Sequence, residues 1–273
     1  MLLVLPFLHL PQPLFSTTGY SLSSRAADLS RLPSSLRPTH LLYPRAFLDR
    51  LRTELNQRSW PHREHFPADR WRRRIRWHGD HHINHALSQS RGVILATLHY
   101  GPLTFLARWL CARAGQPRWR MASLVDDPSW MDPRRRDTTG RRIAPRIIRH
   151  DQLRRAHRFL EHCGILLVGV DFPRGKTIPV RIDDRILPIA TGAIRLAAAT
   201  GAAVIPILAL ERWWWRGEVR ISDPIHDELI TNSARHPEAC RDILTKLLPT
   251  IREQPLQSAE LLLRQFRDAD PAA

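Results

Sequence analysis

The sequence predicts a single α/β domain in which a largely parallel, mixed sheet is flanked by helices. The 273 residues suffice for one large domain, and 43% of them are apolar, as in ordinary globular proteins. Short continuous apolar runs at 92–98 and 164–170 are typical of buried parallel strands. Helical patterns of ten or more residues separate the predicted strands, and this alternation favours a parallel sheet.

The first part of the chain has no sustained strand or helix pattern. Residues 1–44 are rich in Ser, Pro and Leu, and we expect an irregular lead-in to a domain at 45–273. A helix is predicted from Pro44 to Gln57, because four apolar side chains share one face there: Phe47, Leu48, Leu51 and Leu55. A basic segment, RWRRRIRWHGDHHINHALSQSR, follows and precedes the first buried strand.

From residue 92 onward the pattern predicts the elements in order. A strand at 92–98 leads into a helix at 102–115 that has Pro102 at its first position. Candidate strands at 119–125 and 143–149 precede a helix at 151–163, for which Asp151 is the expected N-cap. The remaining predictions are a strand at 164–170, a strand pair within 178–189 turning at Asp183–Asp184, a helix at 191–201, strands at 202–210 and 218–225 that flank a WWWRG turn, and helices at about 233–248 and 256–267.

Positive charge is the unusual feature of the composition. The formal net charge is +16, and Lys176 and Lys246 are the only lysines. Residues 131–160 carry a net +7 and residues 45–91 a net +6. Arginine pairs bidentately with phosphate and carboxylate, so an anionic partner is one interpretation and a solvated surface the other. Three widely spaced cysteines form neither a disulfide framework nor a metal knuckle.

The most apolar stretch is N-terminal and too interrupted to cross a bilayer. MLLVLPFLHLPQPLF contains three prolines and a histidine and lacks the basic region of a signal peptide. An apolar N-terminus on a basic body is consistent with peripheral attachment to an anionic membrane surface. A frayed tail is the alternative.

The segment LHYGPLTFLARWL has the best candidate for chemistry. His99 follows directly on the predicted strand 92–98, Gly101 permits a tight turn, and Pro102 begins a helix. Open α/β sheets bind ligands at such strand ends. An imidazole there can act as a general base near neutral pH, although a histidine that merely fills a strand end is the alternative.

Several blocks of the sequence resemble the bacterial lipid A biosynthesis acyltransferases, a branch of the lysophospholipid acyltransferase superfamily. The resemblance covers residues 91–125 and 164–225. It rests on GVILATLHYGPLT, LLVGVDFPRGK and ATGAIRLAAATGAAVIPILAL, in that order, and EQPLQSAELLLRQF loosely matches the family's closing Pro-x-Gln helix at Pro255 and Gln257. The family places an acid five residues after its catalytic histidine, and here that position is Thr104. Asp126, Asp127 or Asp171 is a candidate to replace that acid.

The resemblance implies an acyltransferase-like fold and transfer of a fatty acyl chain to a hydroxyl of a lipid acceptor. The implied donor is acyl carrier protein or coenzyme A, as a thioester, and no cofactor or metal is implied. The implied catalytic residues are His99 as base, Thr104 and Asp171, and the implied substrate-binding residues are Arg174, Gly192 and Arg195. The implied location is the cytoplasmic face of the bacterial inner membrane, as a peripheral protein.

Other functions remain open from the sequence. A lysophospholipid acyltransferase and a non-catalytic lipid-binding relative lacking the family acid are both compatible with these motifs. Nucleic-acid binding rests on charge alone and is not expected, because no recognition motif is present. The spacing of His78, His81, His82 and His85 fits one face of a helix, but no ligand set completes a metal site around them.

Overall fold

The predicted α/β fold class is confirmed by the computed structural model. The structure describes residues 31–36, 73–113, 119–125, 146–172, 175–212, 216–257 and 260–269. Its strands are β1 (Ile75–His78), β2 (Val93–Thr97), β3 (Arg120–Val125), β4 (Arg146–Arg149), β5 (Gly164–Gly169), β6 (Thr177–Ile182), β7 (Arg185–Ala190), β8 (Ala203–Arg212), β9 (Arg216–Ile221) and β10 (Arg267–Asp268). Its helices are α1 (Asp80–Ser88), α2 (Leu103–Arg113), α3 (Leu153–Glu161), α4 (Gly192–Thr200), α5 (Asp227–Thr231), α6 (His236–Glu253) and α7 (Glu260–Gln265).

Seven strands form the main sheet in the order β1-β9-β8-β2-β5-β3-β4. All neighbouring pairs are parallel except the antiparallel hairpin of β8 and β9. Strand β2 is central, with β5 on one side and β8 on the other. After β2 the chain adds β3, β4 and β5 on one side of β2 and then crosses to β8 and β9 on the other, so the strand order reverses at β2. Open α/β sheets bind ligands at the carboxyl ends of the strands at such a point.

Apolar side chains cover both faces of this sheet. Along β2, Val93 and Leu95 pack on the face that α1 and α2 cover. Ile94 and Ala96 pack on the opposite face, against α3, α4 and α6. A strand buried on both faces has no polar alternation, which is why residues 92–98 form a continuous apolar run.

The predicted strand pair within 178–189 is confirmed, but it lies outside the main sheet. Strands β6 and β7 pair antiparallel and turn at Asp183–Asp184, and β10 joins β7. The two aspartates also accept hydrogen bonds from the backbone N–H groups of Ser34 and Ser35. Leu32 and Leu36, on either side of these serines, are buried in the main core. This described part of the lead-in therefore packs on the domain.

Three details differ from the sequence predictions. The basic segment contains β1 and α1, which the charge pattern concealed. Asp151 does not cap α3: the helix begins at Leu153 after Gln152, and the Asp151 carboxylate pairs with Arg149 instead. The short helix α5 was not predicted. The helix predicted at 44–57 and the last two residues of the helix predicted at 102–115 lie outside the described residues. None of the helices within the described ranges is long and apolar enough to span a bilayer.

Candidate active site

A tight turn connects the end of β2 to the start of α2 and carries His99. The backbone N–H of Tyr100 donates to the Leu98 carbonyl at 2.7 Å, and that of Leu103 donates to the Gly101 carbonyl at 3.0 Å. Gly101 has a φ of +59°, and a Cβ there would lie 2.1 Å from the carbonyl oxygen of Ala209. The turn therefore requires glycine for both its conformation and its close approach to β8.

The carboxylate of Asp171 holds His99 at two points. Its Oδ1 lies 2.9 Å from the ring nitrogen Nδ1, and its Oδ2 accepts the backbone N–H of His99 at 2.9 Å. The Asp171 side chain is fully buried, whereas 26% of the His99 side chain is exposed. One carboxylate thus fixes both the main chain and the ring orientation of a histidine that remains partly accessible.

Sheet register explains why these two residues meet. In the parallel pair of β2 and β5, Thr97 is opposite Gly169. His99 is two residues beyond Thr97, and Asp171 is two residues beyond Gly169. The backbone N–H of Val170 also donates to the Thr97 carbonyl at 2.8 Å, which extends the alignment past the strand ends. The site is therefore a direct product of strand adjacency at the carboxyl edge of the sheet.

Two opposing effects act on the pKa of His99. Burial lowers it, because a low-dielectric environment disfavours the charged imidazolium. The hydrogen bond that the ring donates to Asp171 and the negative charge of that carboxylate raise the pKa, and together they outweigh burial. The net result is a pKa above the ordinary value for histidine. The ring also lies beside Phe172, with ring centroids 6.1 Å apart, which contributes an apolar wall.

This arrangement suits a general base. When Nδ1–H donates to Asp171, the other ring nitrogen, Nε2, carries the lone pair and can accept a proton. A buried carboxylate then stabilises the imidazolium that forms, as in the Ser-His-Asp triad. The pair can take a proton from a hydroxyl and return it to a leaving group.

The structure brings together some of the predicted site residues, and others lie outside the residues that it describes. His99 and Asp171 are in contact. Thr104 is the second residue of α2 and follows His99 by five residues. Asp126, Asp127 and Arg174 lie outside the described residues.

Gly192 and Arg195 lie at the beginning of α4. This helix runs from the carboxyl edge of the sheet, where the Ala190 N–H donates to the Val170 carbonyl, towards the amino edge, where Arg91 contacts Gly201. Gly192 and Arg195 are both exposed. The N-terminus of α4 and the His99 turn are therefore at the same edge of the sheet.

The C-terminal segment also reaches the His99 turn. The Tyr100 hydroxyl donates to the Gln254 carbonyl at 2.8 Å, and the Gly101 N–H donates to the Gln257 carbonyl at 2.8 Å. Sequence reasoning did not assign these residues to the site. The loose match of Pro255 and Gln257 to the family's closing helix was the available signal.

The four histidines of the basic segment do not share one helix face. His78 belongs to β1, and Gly79, with a φ of +80°, separates it from α1, which carries His81, His82 and His85. Two of the four pair with acids elsewhere in the chain: His78 lies 3.6 Å from Glu218 and His82 lies 3.2 Å from Asp223. Among the residues described, no group of three or more His, Cys, Asp or Glu side chains is placed to hold a metal ion.

The sequence model of a family described as bacterial lipid A biosynthesis acyltransferase matches residues 63–213, which is more than half of the chain. The match includes both His99 and Asp171. A search of curated proteins found no match.

Proposed function

The chain belongs to the bacterial lipid A biosynthesis acyltransferase family, and from this premise we propose that it transfers a fatty acyl chain from a thioester to a hydroxyl of a lipid acceptor, with His99 as the general base. Acyl transfer is the general activity of the family. The donor we propose is acyl carrier protein or coenzyme A, and the acceptor is a lipid A precursor or a related glycolipid.

In the proposed reaction, Nε2 of His99 removes the proton of the acceptor hydroxyl as its oxygen attacks the thioester carbonyl. A carbon–oxygen bond forms and the carbon–sulfur bond breaks. The imidazolium then returns the proton to the departing sulfur, so the ring ends in its starting form. No acyl-enzyme is required, because a thioester already has a good leaving group. Asp171 keeps the proton on Nδ1 and stabilises the imidazolium.

The contact between His99 and Asp171 is the observation that carries this proposal. A chain that had lost the family acid at position 104 without a substitute would fit the non-catalytic, lipid-binding alternative. Here a fully buried carboxylate lies 2.9 Å from the ring nitrogen. A buried charge is unfavourable unless it is paired and hydrogen-bonded, so this one is placed for interaction with His99. Acylation of a lysophospholipid uses the same chemistry and differs only in the acceptor.

Three further residues are proposed to bind polar groups of the substrates. Arg174 follows Asp171 by three residues, and a guanidinium there would pair bidentately with a phosphate. Gly192 and Arg195 begin the helix at the same sheet edge. We expect Arg174→Ala to weaken use of a phosphate-bearing substrate and Arg174→Lys to restore part of it. Equal activity of both variants and the wild type would exclude this binding role.

An exposed group of arginines lies on the side of the sheet beyond β5 and supports an anionic partner. Its members are Arg146, Arg149, Arg154, Arg155 and Arg158. Arg149 ends β4, three strand spacings from β2, or about 14 Å. We propose that this group attracts acidic carrier protein or lipid phosphates, and that the protein is peripheral at the cytoplasmic face of the inner membrane. High salt should then release most of it from membranes, and release by detergent alone would contradict this attachment.

The decisive experiment replaces His99 by alanine and measures acyl transfer to lipid acceptors by mass spectrometry. His82→Ala is a matched control, because His82 is also partly buried and paired with an aspartate. We expect transfer to disappear in His99→Ala and to persist in His82→Ala. Transfer that survives His99→Ala excludes the proposed base. A wild-type protein inactive with every thioester donor would favour the lipid-binding alternative.

A further inference from the structure

The side chain of Gln257 is bound between two elements that are distant in sequence. Its Nε2 donates to the Glu211 carbonyl at 2.9 Å, and its Oε1 accepts the Glu211 backbone N–H at 2.9 Å. The amide thus satisfies both backbone groups of one residue near the end of β8. Nε2 also contacts Oε1 of Gln254. Such a two-way amide contact fixes the rotamer of the side chain and the position of the backbone that bears it.

The backbone of the same residue holds the turn that carries His99. The Gln257 carbonyl accepts the Gly101 N–H at 2.8 Å. A Cβ on Gly101 would lie 2.1 Å from the Ala209 carbonyl oxygen and 3.3 Å from Oε1 of Gln257. Gly101 therefore packs closely against both β8 and Gln257.

His99 consequently has supports on two sides. Asp171 binds its backbone N–H and its ring from the β5 side. Gln257 holds the turn two residues later from the β8 side. With only the first support, the turn could shift along the carboxylate, and the ring would lose its fixed direction towards a bound acceptor.

We propose that Gln257 is a positioning residue for the His99 base, acting through the turn 99–101 and not by contact with substrate. This proposal rests on the proposed function in so far as His99 is the base. The side chain of Gln257 anchors the C-terminal segment to β8, and its carbonyl transmits that anchorage to Gly101. A displacement of about 1 Å in a reacting group is enough to slow an enzyme about 100-fold.

Two variants of Gln257 remove different parts of its contact with Glu211. Gln257→Ala removes both contacts with Glu211. Gln257→Glu keeps the size and an acceptor for the Glu211 N–H but replaces the donor by an oxygen that repels the Glu211 carbonyl. Gln89→Ala is the matched control, because Gln89 is an exposed glutamine that directly follows α1 and whose side chain contacts His85.

The first measurement is the pKa of His99, followed by NMR on the protein without substrates, together with the melting temperature. We expect both Gln257 variants to lower the pKa of His99 towards its ordinary value, because the hydrogen bond to Asp171 loosens, and Gln89→Ala to leave it unchanged. A lower melting temperature with an unchanged pKa of His99 would show that Gln257 stabilises the fold without positioning the ring, and would overturn the proposal.

The second measurement is acyl transfer by the same variants. We expect kcat to fall about 10- to 100-fold in both Gln257 variants with KM within about twofold of wild type. A rise in KM at constant kcat would place Gln257 in substrate binding and overturn the proposal. If His99→Ala retains activity, the proposed function fails, and the pKa measurement still decides whether Gln257 positions the ring.

Discussion

Replacing Asp171 by asparagine tests the part of the site on which the chemistry depends most. Asparagine keeps the size of the side chain but carries no charge. Because its amide oxygen can still accept, the backbone N–H of His99 retains an acceptor. The ring loses the carboxylate that lies 2.9 Å from Nδ1. Asparagine can also present its NH₂ group to Nδ1, which would turn the ring towards the tautomer with its proton on Nε2. In that tautomer Nε2 already carries a hydrogen and cannot take a proton from the acceptor hydroxyl.

The expected loss follows from the charge that develops on the ring. When Nε2 takes a proton, a full positive charge appears with its centre about 4 Å from the carboxylate, and at an effective dielectric constant of 20 their attraction is about 4 kcal/mol. Loss of a charge-assisted hydrogen bond alone amounts to about 1.5–3 kcal/mol. Each 1.36 kcal/mol is a factor of ten in rate, so we expect kcat to fall by about 10 to 1,000-fold. A tautomer change can extend the loss to about 10⁴-fold, as in the serine-protease triad.

The assay is acyl transfer from a thioester to a lipid acceptor, followed by mass spectrometry, with NMR titration of His99 on the same samples. Asp223→Asn is a matched control, because Asp223 pairs with His82 at 3.2 Å but is 79% exposed. We expect that control to remain within about twofold of wild type, because exposed ion pairs contribute little. If Asp171→Asn retains full activity with a folded structure, the carboxylate does not support a catalytic imidazole and the reasoning fails.

Three further predictions concern the same turn. Thr104→Asp should not raise transfer, because Asp171 already orients the ring and a second carboxylate nearby would repel that of Asp171. A clear gain in rate would show that the wild-type site is incomplete. The wild-type rate should rise with pH through the raised pKa of His99, because the base must be unprotonated. In Asp171→Asn this rise should occur at lower pH, because burial then lowers the pKa of His99 with no carboxylate to oppose it; a rise at unchanged pH would argue against the pairing. Gly101→Ala should lower the free energy of unfolding by at least about 1–2 kcal/mol, the penalty for a left-handed residue with a Cβ, measured by denaturant titration; unchanged stability would mean that the turn relaxes freely.

The buried strands were predictable because their signal is local. Residues 92–98 and 164–170 are apolar on both faces, and β2 and β5 lie within these ranges. Strand order is not local, so Asp126, Asp127 and Asp171 were equal candidates as partners of His99. Only the adjacency of β2 and β5, with Thr97 opposite Gly169, brings Asp171 to the ring.

Elements at the edge of the sheet were harder to predict. In β1 only Ile75 is buried, while Arg76 and His78 are exposed, so the strand reads as part of a charged run. Helix α1 buries only Ile83 and Ala86. Such elements are held by tertiary pairing with distant segments, which overrides their weak local preference. The same reason applies to Gln257, which contacts Glu211 and Gly101, residues far from it in the sequence.

The central position of β2 has a consequence for how the protein is made. β2 pairs with β5 and β8, and Ala203, the first residue of β8, follows Thr97 by more than 100 residues. At a synthesis rate of 5–20 residues per second, about 5–20 s pass between these two residues leaving the ribosome. During that interval the central strand of the sheet lacks its β8 neighbour and exposes unpaired backbone groups, a known aggregation hazard. Yield of native protein should therefore depend on protection of nascent chains that end between residues 97 and 212.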